Sequence, residues 1–330
     1  MRIICPAFLS ALLFLLTIGI SGLTQESGPD TTEEIRRIYT DSTIIKKDDV
    51  KDLTDTAKTS VRPVEKEKVS NKKITVTFDN LPGERIYNPG ERMEINDSIL
   101  AALKRHNVPG TGFVVGEYVE GGDWETIVKW LEGGQAIGFH TYSGQDIYGM
   151  PLNLFIDDIL KGKEAVDDLV TTYKQSVKFF RFPFLHYAPD ARSKQMIIDE
   201  LVRQNVRIAH VSIVTEDFVY NMSLEKILKS GDSLDIRYLR DEYITHVLER
   251  LAYYESLAAD VAGRPIRHII QLRANRLNAY FLDEILTQLK DKGYQFISLR
   301  DALRDPVYRR EEKYYGEKGL SYLDRIKASK

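Results

Sequence analysis

Between residues 74 and 298 the chain switches repeatedly between two kinds of stretch, and few folds accept that rhythm. Short β-branched and aromatic runs lie at 74–79, 112–116, 136–140, 178–182, 206–213, 267–273 and 294–298. Amphipathic stretches with apolar residues at helical spacing occupy 96–106, 123–132, 154–173, 191–204, 241–262 and 279–290. Strands joined by helical crossovers pair in parallel, so the alternation predicts a mostly parallel sheet wrapped in helices. Seven strands spread over about 225 residues predict a barrel or near-barrel.

Ahead of this region stand Arg2, an apolar run over 3–20 and the small residues Ser21 and Gly22. That order predicts a secretory signal over 1–22, with an uncleaved N-terminal membrane anchor as its rival. The only cysteine, Cys5, lies inside the run, so a chain cleaved after it has no disulfide framework and no thiol chemistry. Residues 23–72 are dense in Asp, Glu, Lys, Thr and Ser and predict a disordered charged spacer, with one short helix near 33–39. The expected location is secreted, or periplasmic and cell envelope. A net charge of −3 with both signs interspersed gives no footprint for nucleic acid. Beyond the signal, no basic run holds the chain to a membrane. Residues 73–305 are expected to form the domain, and 306–330 an extension packed against it.

In parallel folds the working groups gather just past the C-terminal ends of strands. The first strand ends in Asp79 and Asn80, followed by the turn-former Leu81-Pro82-Gly83. The third ends in His140-Thr141-Tyr142-Ser143-Gly144, and the fourth in the stretch from Arg181 to Tyr187. The fifth gives Val214 to Asp217, and the sixth Arg273-Ala274-Asn275. Polar groups from five strands meeting on one rim are a candidate site. Blander readings stand beside each residue. Asp-Asn before Leu-Pro-Gly is ordinary turn chemistry, a lone His140 suits a core, and rings near a barrel mouth are as often packing. Ser143 with Asp79 would make a metal-free hydrolase pair, but no nucleophile elbow surrounds that serine.

Taken in order, TFDNLPG at 77–83, GFHTYSG at 138–144, RFPFLH at 181–186 and LRANRLNAYFLDEIL at 272–286 resemble the motifs of the polysaccharide deacetylases. These are the proteins of NodB homology, or carbohydrate esterase family 4. The resemblance runs from about residue 73 into the C-terminal tail. It implies a deformed (β/α)7 barrel of the NodB type and a hydrolase that removes acetyl groups from amino sugars. In that reaction a divalent metal, held by one acid and two histidines, polarises the acetamido carbonyl and lowers the pKa of a water. An aspartate takes the water's proton, and a histidine oriented by a further acid protonates the leaving amine.

Carried over residue by residue, Asp79 matches the base, His140 the first metal histidine and Arg181 the arginine that holds the base. Asn80 stands where the metal-binding acid belongs, Gly144 replaces the second metal histidine, Val214 the orienting acid and Arg273 the proton-donating histidine. An amide oxygen is a weaker ligand than a carboxylate, and an arginine with a pKa above about 12 shuttles no protons. The expectation is therefore Asp79, Arg181 and Arg273 at the catalytic positions, and a vestigial metal pair, His140 and Asn80. The substrate rim is expected to be Tyr142, Pro183, Phe184, His186 and Tyr187. Such a member has lost metal-dependent deacetylation, needs no cofactor, and keeps a cleft for a glycan or a partner. The alternative is an active de-N-acetylase, metal-free or with zinc or another divalent metal on Asn80, His140 and one of His186 or Asp146. With no metal, Arg273, Arg181 and Asp79 are expected to form one ion-paired cluster.

Overall fold

The sheet is built from eight short strands, all paired in parallel, so their C-terminal ends share one rim. They are β1 Lys73–Leu81, β2 Thr111–Val114, β3 Ala136–Phe139, β4 Phe179–Phe180, β5 Arg207–Ile208, β6 Ile213–Val214, β7 Arg267–Arg273 and β8 Gln295–Phe296. The computed structural model describes residues 71–329 except 84, 85, 87, 232 and the side chain of Ser233. The expected signal and nearly all of the expected spacer lie outside these residues.

The strand order is β5-β4-β3-β2-β1-β7-β6, with β8 beside the first two residues of β1. This is a curled, open version of the expected deformed (β/α)7 barrel. β1 is its centre. Ile74, Val76 and Phe78 are fully buried, and so are Thr75 and Thr77 on the opposite face, which is the signature of a parallel strand covered on both sides. Eight helices, taking those of seven residues or more, pack around the sheet: α1 Pro89–His106, α2 Trp124–Glu132, α3 Leu152–Thr172, α4 Ala191–Arg203, α5 Asp217–Ser230, α6 Ser233–Ala262, α7 Arg276–Asp291 and α8 Tyr322–Ala328. Asn88, Asp190 and Asn275 cap α1, α4 and α7 by accepting backbone N–H bonds, so each rim loop passes into its helix at a fixed angle.

The sequence reading and the structure part at one informative place. The run 206–213, expected as a single strand, is two: β5 closes one edge of the sheet and β6 the other. Ala209 N donates to Phe180 O and Ser212 N donates to Ile269 O, so four residues, 209–212, cross the barrel's open seam. An apolar run has no local mark for the point at which its pairing partner changes. Helix α5, absent from the expected amphipathic stretches, begins at Asp217, the last residue of the fifth rim segment.

Two contacts fix the rim loops near β1 and β3. Buried Asn96 on α1 donates through Nδ2 to Pro82 O at 2.5 Å and accepts from Trp130 Nε1 at 2.8 Å, which holds the turn after Asn80. Gly162 on α3 sits against the β3 loop so closely that a Cβ there would lie 2.6 Å from Tyr142 N and 2.9 Å from His140 O. Only a glycine allows the helix this approach.

Candidate active site

Asp79 is buried at the end of β1 and both of its carboxylate oxygens are engaged. Oδ1 accepts from Arg181 Nη1 at 2.5 Å, and Oδ2 accepts from Gln271 Nε2. Arg181, with no exposed surface, also donates to Thr77 Oγ1 at 2.8 Å and to Ala209 O at 3.2 Å, and lies over the Phe113 ring at 4.0 Å. One guanidinium thus ties β1 to the chain following β5. Burial alone would raise the pKa of Asp79, but the Arg181 charge and the hydrogen bonds from Gln271 and Arg181 outweigh it and hold the carboxyl below its ordinary range.

His140 follows β3. Its Nδ1 is 2.8 Å from Arg181 O, and a carbonyl can only accept, so Nδ1 carries the proton. Burial, the largest influence, lowers its pKa and keeps the ring neutral. That leaves Nε2 with a bare lone pair, 3.9 Å from Asp79 Oδ1, buried and without a hydrogen-bond partner among the described residues.

The positions around it offer little else to a cation. Asn80 sits where the β1–β2 register shifts, at φ 62°, a left-handed conformation that asparagine tolerates. Gly144, at φ +67°, has no side chain, and a Cβ there would lie 3.2 Å from Val115 Cγ1. His186, one of the two residues proposed as a substitute ligand, is instead paired with the other: its Nδ1 lies 2.8 Å from Asp146 Oδ2. Among the described residues no three His, Cys, Asp or Glu side chains converge as a metal site. One free imidazole nitrogen, an amide and a carboxylate already spent on Arg181 and Gln271 do not fit a divalent metal.

The far side of the rim corrects the sequence reading. Arg273 is the register partner of Asp79 across β1 and β7, yet it pairs with Asp217. Its Nη1 donates to Asp217 Oδ1 at 2.5 Å and its backbone N donates to Oδ2 at 2.7 Å. The expected three-member cluster is therefore two separate pairs, Asp79–Arg181 and Asp217–Arg273. The acid that orients residue 273 is Asp217 and not the Val214 position, which is apolar and packed. Asp217 opens α5, fully buried, and also accepts from Asn278 Nδ2 at 2.6 Å. Asn278 is itself fixed by Tyr243 Oη at 2.7 Å. The Arg273 guanidinium rests over the Phe218 ring at 4.8 Å.

The expected substrate rim divides. Phe184 is 60% exposed, and Tyr142 is half-buried with its hydroxyl donating to Glu120 and Lys161 Nζ 3.3 Å from its ring centre. Tyr187 and Pro183 are buried and present no ring face to a ligand at the mouth. Tyr187 is stacked between Phe182 and His210 and donates to or accepts from His210 Nδ1 at 2.7 Å. Ser143 donates to Asp158 Oδ2 at 2.7 Å and so is tied to α3, leaving it no role with Asp79. Gln271 and Asn278 escaped the sequence reading. A glutamine inside the apolar run of β7, two residues before Arg273 and so on the same face, was the available signal for the first.

A parallel, curled barrel with an arginine-held aspartate and a histidine at its strand ends is the setting in which comparison with known proteins becomes informative. Residues 66–197 match the family model for polysaccharide deacetylase. The peptidoglycan-N-acetylglucosamine deacetylase PgdA of Listeria monocytogenes is 26% identical over 262 residues, which cover 78% of this chain and 42% of that protein. The chain thus spans less than half the length of that relative. The peptidoglycan-N-acetylmuramic acid deacetylase PdaA of Bacillus subtilis is 25% identical over 233 residues, covering 70% of this chain and 72% of its own. Among solved structures, a mutant of a CE4 family pseudoenzyme of Bacillus anthracis, with restored enzymatic activity, has the same fold. It aligns with a TM-score of 0.50 at 18% identity, over 71% of this chain and 68% of that one.

Proposed function

We propose that this protein binds an acetylated amino-sugar polymer of the cell envelope at the strand-end cleft and does not hydrolyse it by the metal-dependent route. The observation that carries this reading is the donor set: His140 Nε2 is a single free ligand atom, with Asn80 and Gly144 where two further ligands belong. Arg273 supports it from the opposite side. Locked by Asp217 over Phe218, it is a fixed cation that can donate to glycan hydroxyls, acyl oxygens or carboxylates but cannot protonate a leaving amine. Exposed Phe184 and Phe218 supply flat apolar faces of the kind that stack on pyranose rings. The relatives' action on peptidoglycan points to the class of polymer and to an extracellular or envelope location.

The test uses the full chain with insoluble peptidoglycan and with acetylated chitin oligomers, in the presence of zinc or cobalt. Saturable co-sedimentation with no acetate release above the buffer control is expected, and Arg273→Ala reduces the bound fraction several-fold. Sustained acetate release with stoichiometric bound metal overturns the reading.

The second reading, an active deacetylase with an unusual site, draws on the intact base half. Asp79 is ionised and His140 Nε2 stands 3.9 Å from it with its lone pair available. The same acetate assay decides between the two.

A further inference from the structure

The sheet is open between β5 and β6, and the C-terminal segment closes the seam. Tyr322 N donates to Val211 O at 2.7 Å, and Arg207 Nη2 donates to Leu303 O at 3.0 Å. Between this segment and α4 lies a cavity of about 700 Å³, within the range of small-molecule sites. Of the rim residues discussed above, only Tyr187 lines it.

The wall of this cavity is basic. Lys194, Arg207, Arg309 and Arg310 line it beside two acids, Glu311 and Glu312. Glu312 is already shared, its Oε1 taking both Lys194 and the buried Arg325. Arg325 lies behind the wall, over the Tyr187 ring at 4.0 Å, and its buried Nε and Nη1 have no hydrogen-bond partner among the described residues. Arg207 bonds a neutral carbonyl, and after burial the influences that lower its pKa are other arginines, Arg309 and Arg304. His210, on the same wall, is held neutral by burial and by Lys194, Arg325 and Arg207. A half-enclosed space with this excess of cations, its Arg207 and Arg309 side chains reaching solvent, carries a positive potential that draws anions.

We propose that this seam cavity is a binding site for a small oxyanion-bearing molecule, a carboxylate or a phosphate, held chiefly by the Arg207 and Arg309 guanidiniums with Lys194 beside them. Guanidinium forks suit both anions, which present paired oxygens.

Calorimetric titration of the full chain at low salt with inorganic phosphate, and separately with glucuronate, tests this. Saturable binding of at least one anion is expected. It should weaken about tenfold or more in the Arg207→Gln/Arg309→Gln double variant and stay unchanged in Lys104→Gln/Arg105→Gln, a charge-matched control on α1. Tighter phosphate binding identifies a phosphate-bearing ligand, and tighter glucuronate binding a carboxylated sugar. No saturable binding of either anion, or binding that the double variant retains in full, overturns the proposal. Should the double variant fail to fold, the wild-type melting temperature in phosphate and in glucuronate, each against chloride at equal ionic strength, decides. A specific rise with either anion supports the site, and its absence with both overturns it.

Discussion

The two halves of the rim have kept different things. On the side of β1, β3 and β4, the residues resembling the family's base half are present and joined: Asp79 to Arg181, and His140 to the Arg181 carbonyl. On the side of β6 and β7, where the resemblance implies an acid–histidine pair, stands an acid–arginine pair, Asp217 with Arg273, whose guanidinium is oriented by the acid but stays protonated. Asp79 and Arg181 form a nearly solvent-free ion pair between sheet elements, cross-linked through Thr77 and Gln271. Removing either member strands the other charge in the interior, so this half has a structural reason to persist whether or not it still serves chemistry. Asp217 holds three further N–H groups besides the Arg273 guanidinium, and Arg273 is partly exposed. That half can change its cation without losing the acid's other partners.

The sharpest way to break this contrast is to remove each arginine in turn. Arg181→Met leaves Asp79 buried without a counter-charge and is expected to cost about 3–5 kcal/mol of stability. Arg273→Met leaves Asp217 with its backbone and amide donors and is expected to cost about 1.5–3 kcal/mol. Urea denaturation of both variants measures the difference. Equal losses would show that the first half is no more structural than the second.

Acid should act through the buried histidines, and one of them, His140, belongs to the base half. A histidine whose folded pKa is lowered is stable as the neutral form, while the unfolded chain takes up a proton near pH 6.5. Its contribution is therefore complete above pH 6.5 and is lost as the pH falls toward the folded value. His268, the second residue of β7 and pushed down to about 4 chiefly by burial, accounts for roughly 2 kcal/mol lost between pH 7 and pH 5. His140 and His210 are shifted the same way and add to it. The urea midpoint of the wild type should fall across that interval, and His140→Gln should show a shallower fall. Arg273→Met, which removes no such histidine, should keep the wild-type slope.

Much of this was legible from residues alone, for identifiable reasons. The alternation of β-rich and amphipathic runs specified a parallel barrel because the central strands are buried on both faces and the helices pack on them by one. Asp79, His140 and Arg181 could be placed because they lie at strand ends, where chain order and spatial order agree. What failed depended on partners distant in sequence. The run 206–213 changes strand neighbours in its middle, and Tyr187 was assigned to the mouth although the C-terminal segment buries it. Asp217 stood out only as the last residue of the fifth rim segment, because its position inside the first turn of α5, facing β7, follows from a helix that the apolar pattern did not announce. Val214 stands where the resemblance puts an acid with an orienting role. The side chain able to perform it comes three residues later.

The smallest predicted effect concerns the ring under Arg273. Phe218 is 38% exposed, and the guanidinium lies 4.8 Å from its centre. A partly solvated cation–π contact contributes about 0.5–1 kcal/mol, so Phe218→Ala should lower stability by no more than that. Its effect on glycan retention separates two pictures of the acid half. If Arg273 and Phe218 form one binding surface, the alanine variant removes a stacking face and loosens the arginine, and affinity for insoluble peptidoglycan should drop about three- to fivefold while the urea midpoint barely moves. If the pair only seals the end of β7, stability should fall with retention unchanged. Measuring both quantities on the same variant shows whether the arginine at the end of β7 serves a ligand or only a neighbour.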